Sequence, residues 1–279
     1  MPNETLTSNR PRIGLALSGG AARGIAHVGV LRVLEENAIP IDAIAGASAG
    51  ALVGGAYAAG LTIAELEGLV RKFRWRHTAR FSFSRLGLQS NARMEEFLRS
   101  RLPVTRFEEL KIPFAAMVTD LRNGTAIALR DSGDVPFAIR ASGCLPALYV
   151  PARDDEGRLL VDGGLVANLP ISYTRELGAD IVIAVDVGAD GARFMESPRT
   201  ALGVLTQTFV AVERIVSNQE RAGADLVIAP KVGHIRWDET RRADELLKAG
   251  YDTALESIDR IKELIERYAL TRNPAESFV

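Results

Sequence analysis

Twice near its beginning the chain runs a short apolar stretch into a cluster of Gly, Ala and Ser and then starts a helical pattern at once. "RIGLALS" (12–18) leads into "SGGAARG" (18–24), after which Ile25, Val28, Leu31 and Leu34 recur at helical spacing to about Asn37. "IDAIA" (41–45) leads into "GASAG" (46–50), and a helix is expected from Ser48 to about Ala59. An apolar run that does not alternate with polar residues reads as a strand buried on both faces. Such strands belong to parallel sheets, whose crossovers are helices. Further strands are expected at 113–121, 125–130, 158–162, 180–188 and 225–230, and helices at 63–73, 91–102 (with Asn91 as N-cap), 198–223 and 239–268. The fold class is therefore α/β, a three-layer sandwich with a mainly parallel central sheet. No repeat or linker divides it. A flexible N-terminal segment (1–11), one domain (12–270) and a C-terminal tail (271–279) are expected.

Composition narrows the function classes. Hydrophobic residues make up 47% of the 279 residues and charged residues 25%, enough for a large core, and the net charge of -1 provides no global field for nucleic acid. Cys144 is the single cysteine, so no internal disulfide forms, which fits a reducing compartment. The start, "MPNETLTSNRPR", carries no apolar stretch of the signal-peptide kind. A cytoplasmic protein is expected, with peripheral membrane contact an open option. The uncharged run 43–64 is long enough to span a bilayer, but it is mostly Ala and Gly, so a buried, closely packed helix is expected instead.

"GASAG" places Ser48 between a strand and a helix. A turn this sharp needs small neighbours, here Gly46 and Gly50, and it lifts the serine hydroxyl clear of the sheet at a helix N-terminus. The same small residues would also suit mere close packing of a helix. In "SGGAARG", Gly19, Gly20, Ala21, Arg23 and Gly24 form a loop whose N–H groups can receive an oxyanion or a phosphate. A dinucleotide fingerprint fails because position 21 is Ala, and no Gly-Lys-Ser/Thr follows for a phosphate loop. "LLVDGG" ends a strand on Asp162, with Gly163 and Gly164 turning the chain away; alone, this is an ordinary turn signal.

Together these segments resemble the patatin-like phospholipase family. "LALSGGAARGIAHVGVL" (15–31) is similar to its glycine-rich loop and first helix, "GASAG" to its Gly-x-Ser-x-Gly elbow, and "DGG" to its Asp-Gly-Gly/Ala motif. "VTDLRNGTAIAL" and "AIRASGCLPALYVP" are similar to intervening segments. The resemblance spans about 12–190. It implies a lipid acyl hydrolase with a Ser48–Asp162 dyad, an acyl-enzyme and an oxyanion hole from the 19–24 loop, needing no cofactor. The family loop has three consecutive glycines where this chain has Ala21, which would then have to avoid a positive φ.

Other readings stay open. Ser48, Asp162 and His234 also follow the chain order of an α/β-hydrolase triad, which would suit an esterase or thioesterase. A non-enzymatic regulator could use the glycine-rich loop to bind an anion or nucleotide. No cluster has metal-site spacing, so no metal is expected. Between Gly68 and Met94 there is no acidic residue, while Arg71, Lys72, Arg74, Arg76, Arg80, Arg85 and Arg93 are interleaved with Phe73, Trp75, Phe81 and Phe83. Trp75, Phe81 and Phe83 are candidate lipid-facing residues and the arginines candidate headgroup contacts; a solvated excursion would have the same composition. The partners expected are a lipid ester or phospholipid, and no nucleic acid. Head group, chain length and oligomeric state are not legible.

Overall fold

The computed structural model describes residues 10–74, 79–189 and 197–272, with side chains to residue 270. Trp75, His77, Arg76 and almost all of the expected terminal segments lie outside the described residues. In chain order the elements are β1 (Ile13–Leu17), α1 (Ala26–Glu36), β2 (Ala43–Ala47), α2 (Ala49–Ala58), α3 (Ile63–Lys72), β3 (Arg80–Phe81), β4 (Gln89–Ser90), α4 (Ala92–Arg99), β5 (Phe114–Asp120) and β6 (Thr125–Leu129). There follow α5 (Val135–Ser142), β7 (Ala152–Arg153), β8 (Leu159–Asp162), α6 (Ile171–Glu176), β9 (Ile181–Val185), α7 (Ala201–Glu220), β10 (Leu226–Ile228) and α8 (Ala243–Arg272).

The central sheet has the order β10-β9-β1-β2-β5-β8-β7, with β6 also paired to β5. Strands β10, β9, β1, β2 and β5 run parallel; β6, β8 and β7 join antiparallel. Alternate side chains explain why the parallel strands are apolar throughout. Leu15, Leu17, Ile44, Ile183 and Val185 pack with α1, α2 and α8 on one face. Ala16, Val182 and Ala184 pack with Leu169 and Ile171, where α6 begins, on the other. The sheet is covered on both sides, the expected three-layer arrangement.

Small residues set how close the layers come. A side-chain carbon on Gly29 of α1 would overlap the Leu247 carbonyl of α8, and one on Gly250 of α8 would overlap the Ala26 carbonyl of α1. The two helices therefore cross with backbones in contact, so the amphipathic C-terminal helix serves as a core layer. It continues to Arg272, two residues beyond the expected domain end at 270. The uncharged run 43–64 is divided between β2 and α2, and among the described residues no helix is long and apolar enough to cross a membrane.

The register on β5 decides where the site forms. Strand β2 borders β5 as far as Ala47 opposite Met117, and β8 borders it from Asp120 back to Val118 opposite Asp162. The C-terminal ends of β2 and β8 thus converge on neighbouring positions of one strand. Ser48 and Asp162, 114 residues apart in sequence (162 − 48), are brought together by this pairing.

Candidate active site

Ser48 stands between β2 and α2 with φ 51° and ψ -115°, a sparsely populated conformation for a non-glycine residue. The turn is tight enough that a Cβ on Gly46 would lie 2.5 Å from the Gly50 backbone, and one on Gly50 would overlap the Leu17 carbonyl. Both expected elbow glycines are therefore sterically required. The Ser48 N–H is held by the hydroxyl of Ser142 at 2.8 Å, and the Ser48 carbonyl begins the ladder of α2 by accepting the Leu52 N–H.

Asp162 closes β8. Its Oδ1 accepts the Gly164 N–H at 2.9 Å, and the neighbouring Ser48 hydroxyl also favours its charged form. Gly163 must be glycine because a Cβ there would overlap the Met117 carbonyl. Burial pushes the Asp162 carboxyl up to about 7, offset in part by the Gly164 N–H and the Ser48 hydroxyl. Enclosure costs the charged form its hydration, and the two donors return part of that loss.

The glycine-rich loop lies beside the elbow. A Cβ on Gly19 would lie 3.3 Å from the Ser48 Cβ, and one on Gly24 would overlap the Ala49 side chain. Its N–H groups are not equivalent. Gly19 donates to the backbone and side-chain oxygens of Asn168 (3.3 and 3.2 Å), Ala22 to the Trp237 carbonyl, and Arg23 to the Gly20 carbonyl. Gly20 and Ala21 donate to no acceptor among the described residues. Ala21 takes a positive φ of 50°, against the expectation that it would avoid one. It opens the 3-10 turn Ala21–Ile25, and a loop that must reverse direction there imposes the left-handed conformation whatever the residue, at a cost of roughly 1–2 kcal/mol. Arg23 is buried, its Nε donating to the Ile235 carbonyl at 2.7 Å, so its side chain does not lie in solvent.

His27 and His234 stand apart from this pair. His27 is fully buried behind the loop, its Nε2 donating to the Ser18 carbonyl at 2.9 Å, and burial lowers it to about 4, so it is neutral. His234 is exposed and meets Glu245 at 2.7 Å; it does not line the cavity that holds Ser48 and Asp162.

That cavity, about 190 Å³, runs from the serine between α2, α3 and α4, with Leu52, Ala56, Leu69, Phe73, Met94 and Phe97 in its wall. Most of its lining is apolar, and Ser48, Asp162, Asn168 and Glu213 are among the polar groups that share it, a composition suited to a ligand with an apolar tail. Among the described residues no group of three His, Cys, Asp or Glu side chains is placed to hold a metal ion.

The sequence matches the patatin-like phospholipase family over residues 15–175, which takes in the glycine-rich loop, the elbow and the Asp-Gly-Gly turn. The chain belongs to the patatin-like phospholipase family. This patatin-like chain is 35% identical over 183 residues to the lysophospholipase nte1 of Neurospora crassa, covering 63% of this chain and 12% of that protein. It is 29% identical over 280 residues to the lysophospholipase NTE1 of Coccidioides immitis (90% and 18%). With an uncharacterised NTE family protein of Mycobacterium bovis it shares 37% over 188 residues (66% and 51%). It thus spans about an eighth to a half of these relatives' lengths. In fold it is similar to VipD of Legionella pneumophila, with a TM-score of 0.54 at 17% identity over 90% of this chain and 67% of that one.

Several site residues of this patatin-like protein were not singled out in the sequence. Ser142 and Asn168 sit within segments that carry the family resemblance, but nothing local distinguishes them from surface polar residues. Glu213 shares the cavity-lining face of α7 with Thr206, Phe209, Val210 and Ser217, so its signal was a carboxyl among apolar and small polar residues. Asn91 does not cap α4 with its side chain. It is buried, and its Nδ2 donates to the Arg140 carbonyl at 3.0 Å. Phe81 and Phe83 stand exposed, their rings edge to face at 5.4 Å, outside the cavity.

Proposed function

We propose that this protein hydrolyses acyl esters of lipids through a Ser48–Asp162 dyad. The observation that carries the reading is the strained Ser48 beside the buried Asp162 carboxyl, both lining a mainly apolar cavity. Asp162 accepts the hydroxyl proton as Ser48 Oγ attacks the ester carbonyl. The oxyanion that forms takes the N–H groups of Gly20 and Ala21, with the N-terminus of α2 adding favourable potential. Asp162 returns the proton to the departing alcohol, leaving an acyl-serine. Water then attacks the acyl-serine, giving its proton to Asp162, and Asp162 returns that proton to Ser48 Oγ as the C–Oγ bond breaks and the free acid leaves. An ordinary carboxylate is a weak base for this task, and the upward shift to about 7 brings Asp162 near the pH at which it must work.

The fungal relatives are named lysophospholipases, which supports a single-chain phospholipid as substrate. The segment 79–90 supports contact with a lipid surface. Phe81, Phe83, Leu86 and Leu88 are exposed there, with Arg80 just before them and Arg85 among them.

The test is intact mass and peptide mapping after treatment with a lipid-like fluorophosphonate. One adduct on Ser48, lost in a folded Asp162→Asn protein and kept in His234→Ala, is expected. Absence of the adduct on folded wild-type protein overturns the reading.

A further inference from the structure

The cavity holds a second carboxyl that the reaction above does not use. Helix α7 is tied down over the site at its C-terminal turns. Asn168 Nδ2 donates to Ser217 Oγ at 2.8 Å, Glu220 accepts the Leu169 N–H at 2.7 Å, and Arg221 pairs with buried Asp186 at 2.6 Å. Glu213 lies one turn before Ser217 on the same face. Its Oε1 enters the gap between the two loops that carry the site. A Cβ on Gly164 would lie 2.6 Å from that oxygen, and one on Gly19 would lie 3.0 Å from it. The glycines at 19 and 164 make the space that this carboxyl occupies.

We propose that Glu213 is a positioning residue that remains an un-ionised acid in the working site, so that Asp162 is the one ionised carboxylate beside Ser48. The proposal deepens the dyad reading and rests on it. Asp162 comes to Glu213 from β8, Arg23 from the 3-10 turn and Asp186 from the end of β9, the last already committed to Arg221. Glu220 and Arg214 are its charged neighbours on α7 itself. Two carboxylates facing each other in an enclosed site do not both ionise readily. Asp162 has the Gly164 N–H and the Ser48 hydroxyl to stabilise a charge, which decides which of the two releases its proton first. Burial and then the Asp162 charge hold the Glu213 carboxyl well above the usual carboxylate range, and Arg23 offsets this only in part. When Glu213 does ionise as pH rises, it places a negative charge beside Gly19, next to where the oxyanion is to be stabilised. The rate then falls.

The experiment pairs two readouts on the full chain. The first is the pH profile of kcat/KM on a water-soluble short-chain ester for wild type, Glu213→Ala and Glu213→Gln. The second is carboxyl-carbon NMR of glutamate-labelled wild type, with Glu213 assigned by its loss in Glu213→Gln. We expect Glu213→Ala to lose about tenfold in rate, Glu213→Gln to recover most of that loss, and the alkaline descent of the wild type to vanish in Glu213→Gln. NMR is expected to show Glu213 still protonated where Asp162 is ionised. The proposal is overturned if Glu213 is ionised at neutral pH, if the Gln profile superimposes on wild type, or if folded Glu213→Gln loses activity at every pH. Should the wild type turn over no ester at all, the hydrolase reading fails, and NMR still decides the state of Glu213.

Discussion

Ser142 holds Ser48 in place: its hydroxyl accepts the Ser48 N–H at 2.8 Å while donating to the Met117 carbonyl at 2.6 Å. One side chain from the end of α5 therefore satisfies the backbone of the strained elbow and that of the strand beneath it. Ser142→Ala leaves both groups unpaired in a buried place, a cost of roughly 1–3 kcal/mol. Denaturant titration is expected to show that loss, and ester turnover is expected to fall as Ser48 loses its fixed orientation. Unchanged turnover with the stability loss would separate packing from alignment.

Gly50 cannot accept a side chain without backbone movement, since a methyl there would overlap the Leu17 carbonyl. Overpacking of a close-packed core costs typically 1–3 kcal/mol, and here the obstacle is backbone rather than a movable side chain. Gly50→Ala is expected to reach or exceed the upper end of that range, read as a fall in Tm. A wild-type Tm would mean that α2 can shift away from β1.

Asp162 links activity to stability with opposite signs. Its carboxyl is raised from 3.8 to about 7 in the folded chain. Between those values the native state keeps a proton that the unfolded state has released, so its contribution to stability is fullest at low pH and is lost as pH rises toward 7. Asp162→Asn removes that dependence. The variant is expected to be inactive yet to gain on wild type in stability as pH rises from about 4 to 7. Parallel stability curves for the two proteins would contradict the shift.

His234 meets only Glu245 at the surface. His234→Ala is expected to leave ester turnover within about twofold of wild type. A loss of about a thousandfold, the scale seen when a triad member is removed, would restore histidine as the base.

Ala56 lies in the cavity wall two turns along α2 from Ser48, about 12 Å at 1.5 Å per residue. Ala56→Phe is expected to depress kcat/KM far more for long acyl chains than for short ones. A uniform loss across chain lengths would mean that the chain leaves the serine in another direction.

Much of this was written locally. Strand β1, helix α1 and the elbow were legible because parallel strands buried on both faces are apolar without interruption, and because Gly46 and Gly50 mark a backbone approach that no other residue permits. The apolar run 41–45 sets strand β2 two residues earlier than its actual Ala43–Ala47, because Gly46 reads as a turn residue although it lies within the strand. Helix α5 was not recognised, although Asp134 caps it through the Phe137 N–H and Pro136 lies in its first turn; its eight residues are too short for a clear period. Asn91 looked like a cap because the sequence carries its residue type and the following helix, but not the burial that turns its amide toward Arg140.

By itself, then, the sequence determined the alternation of strands and helices, the serine in its glycine frame and the aspartate at a strand end. These depend on local sterics and hydrophobic period, which act over a few residues. Only the tertiary structure decided which groups meet. The register on β5 brings the ends of β2 and β8 together, α5 supplies Ser142, and α7, beyond the matched family segment, lowers Glu213 between Gly19 and Gly164. Contacts across a hundred or more residues leave no period in the sequence. The same distance and burial also raise the two carboxyls, because a charge's energy depends on what surrounds it in space rather than along the chain.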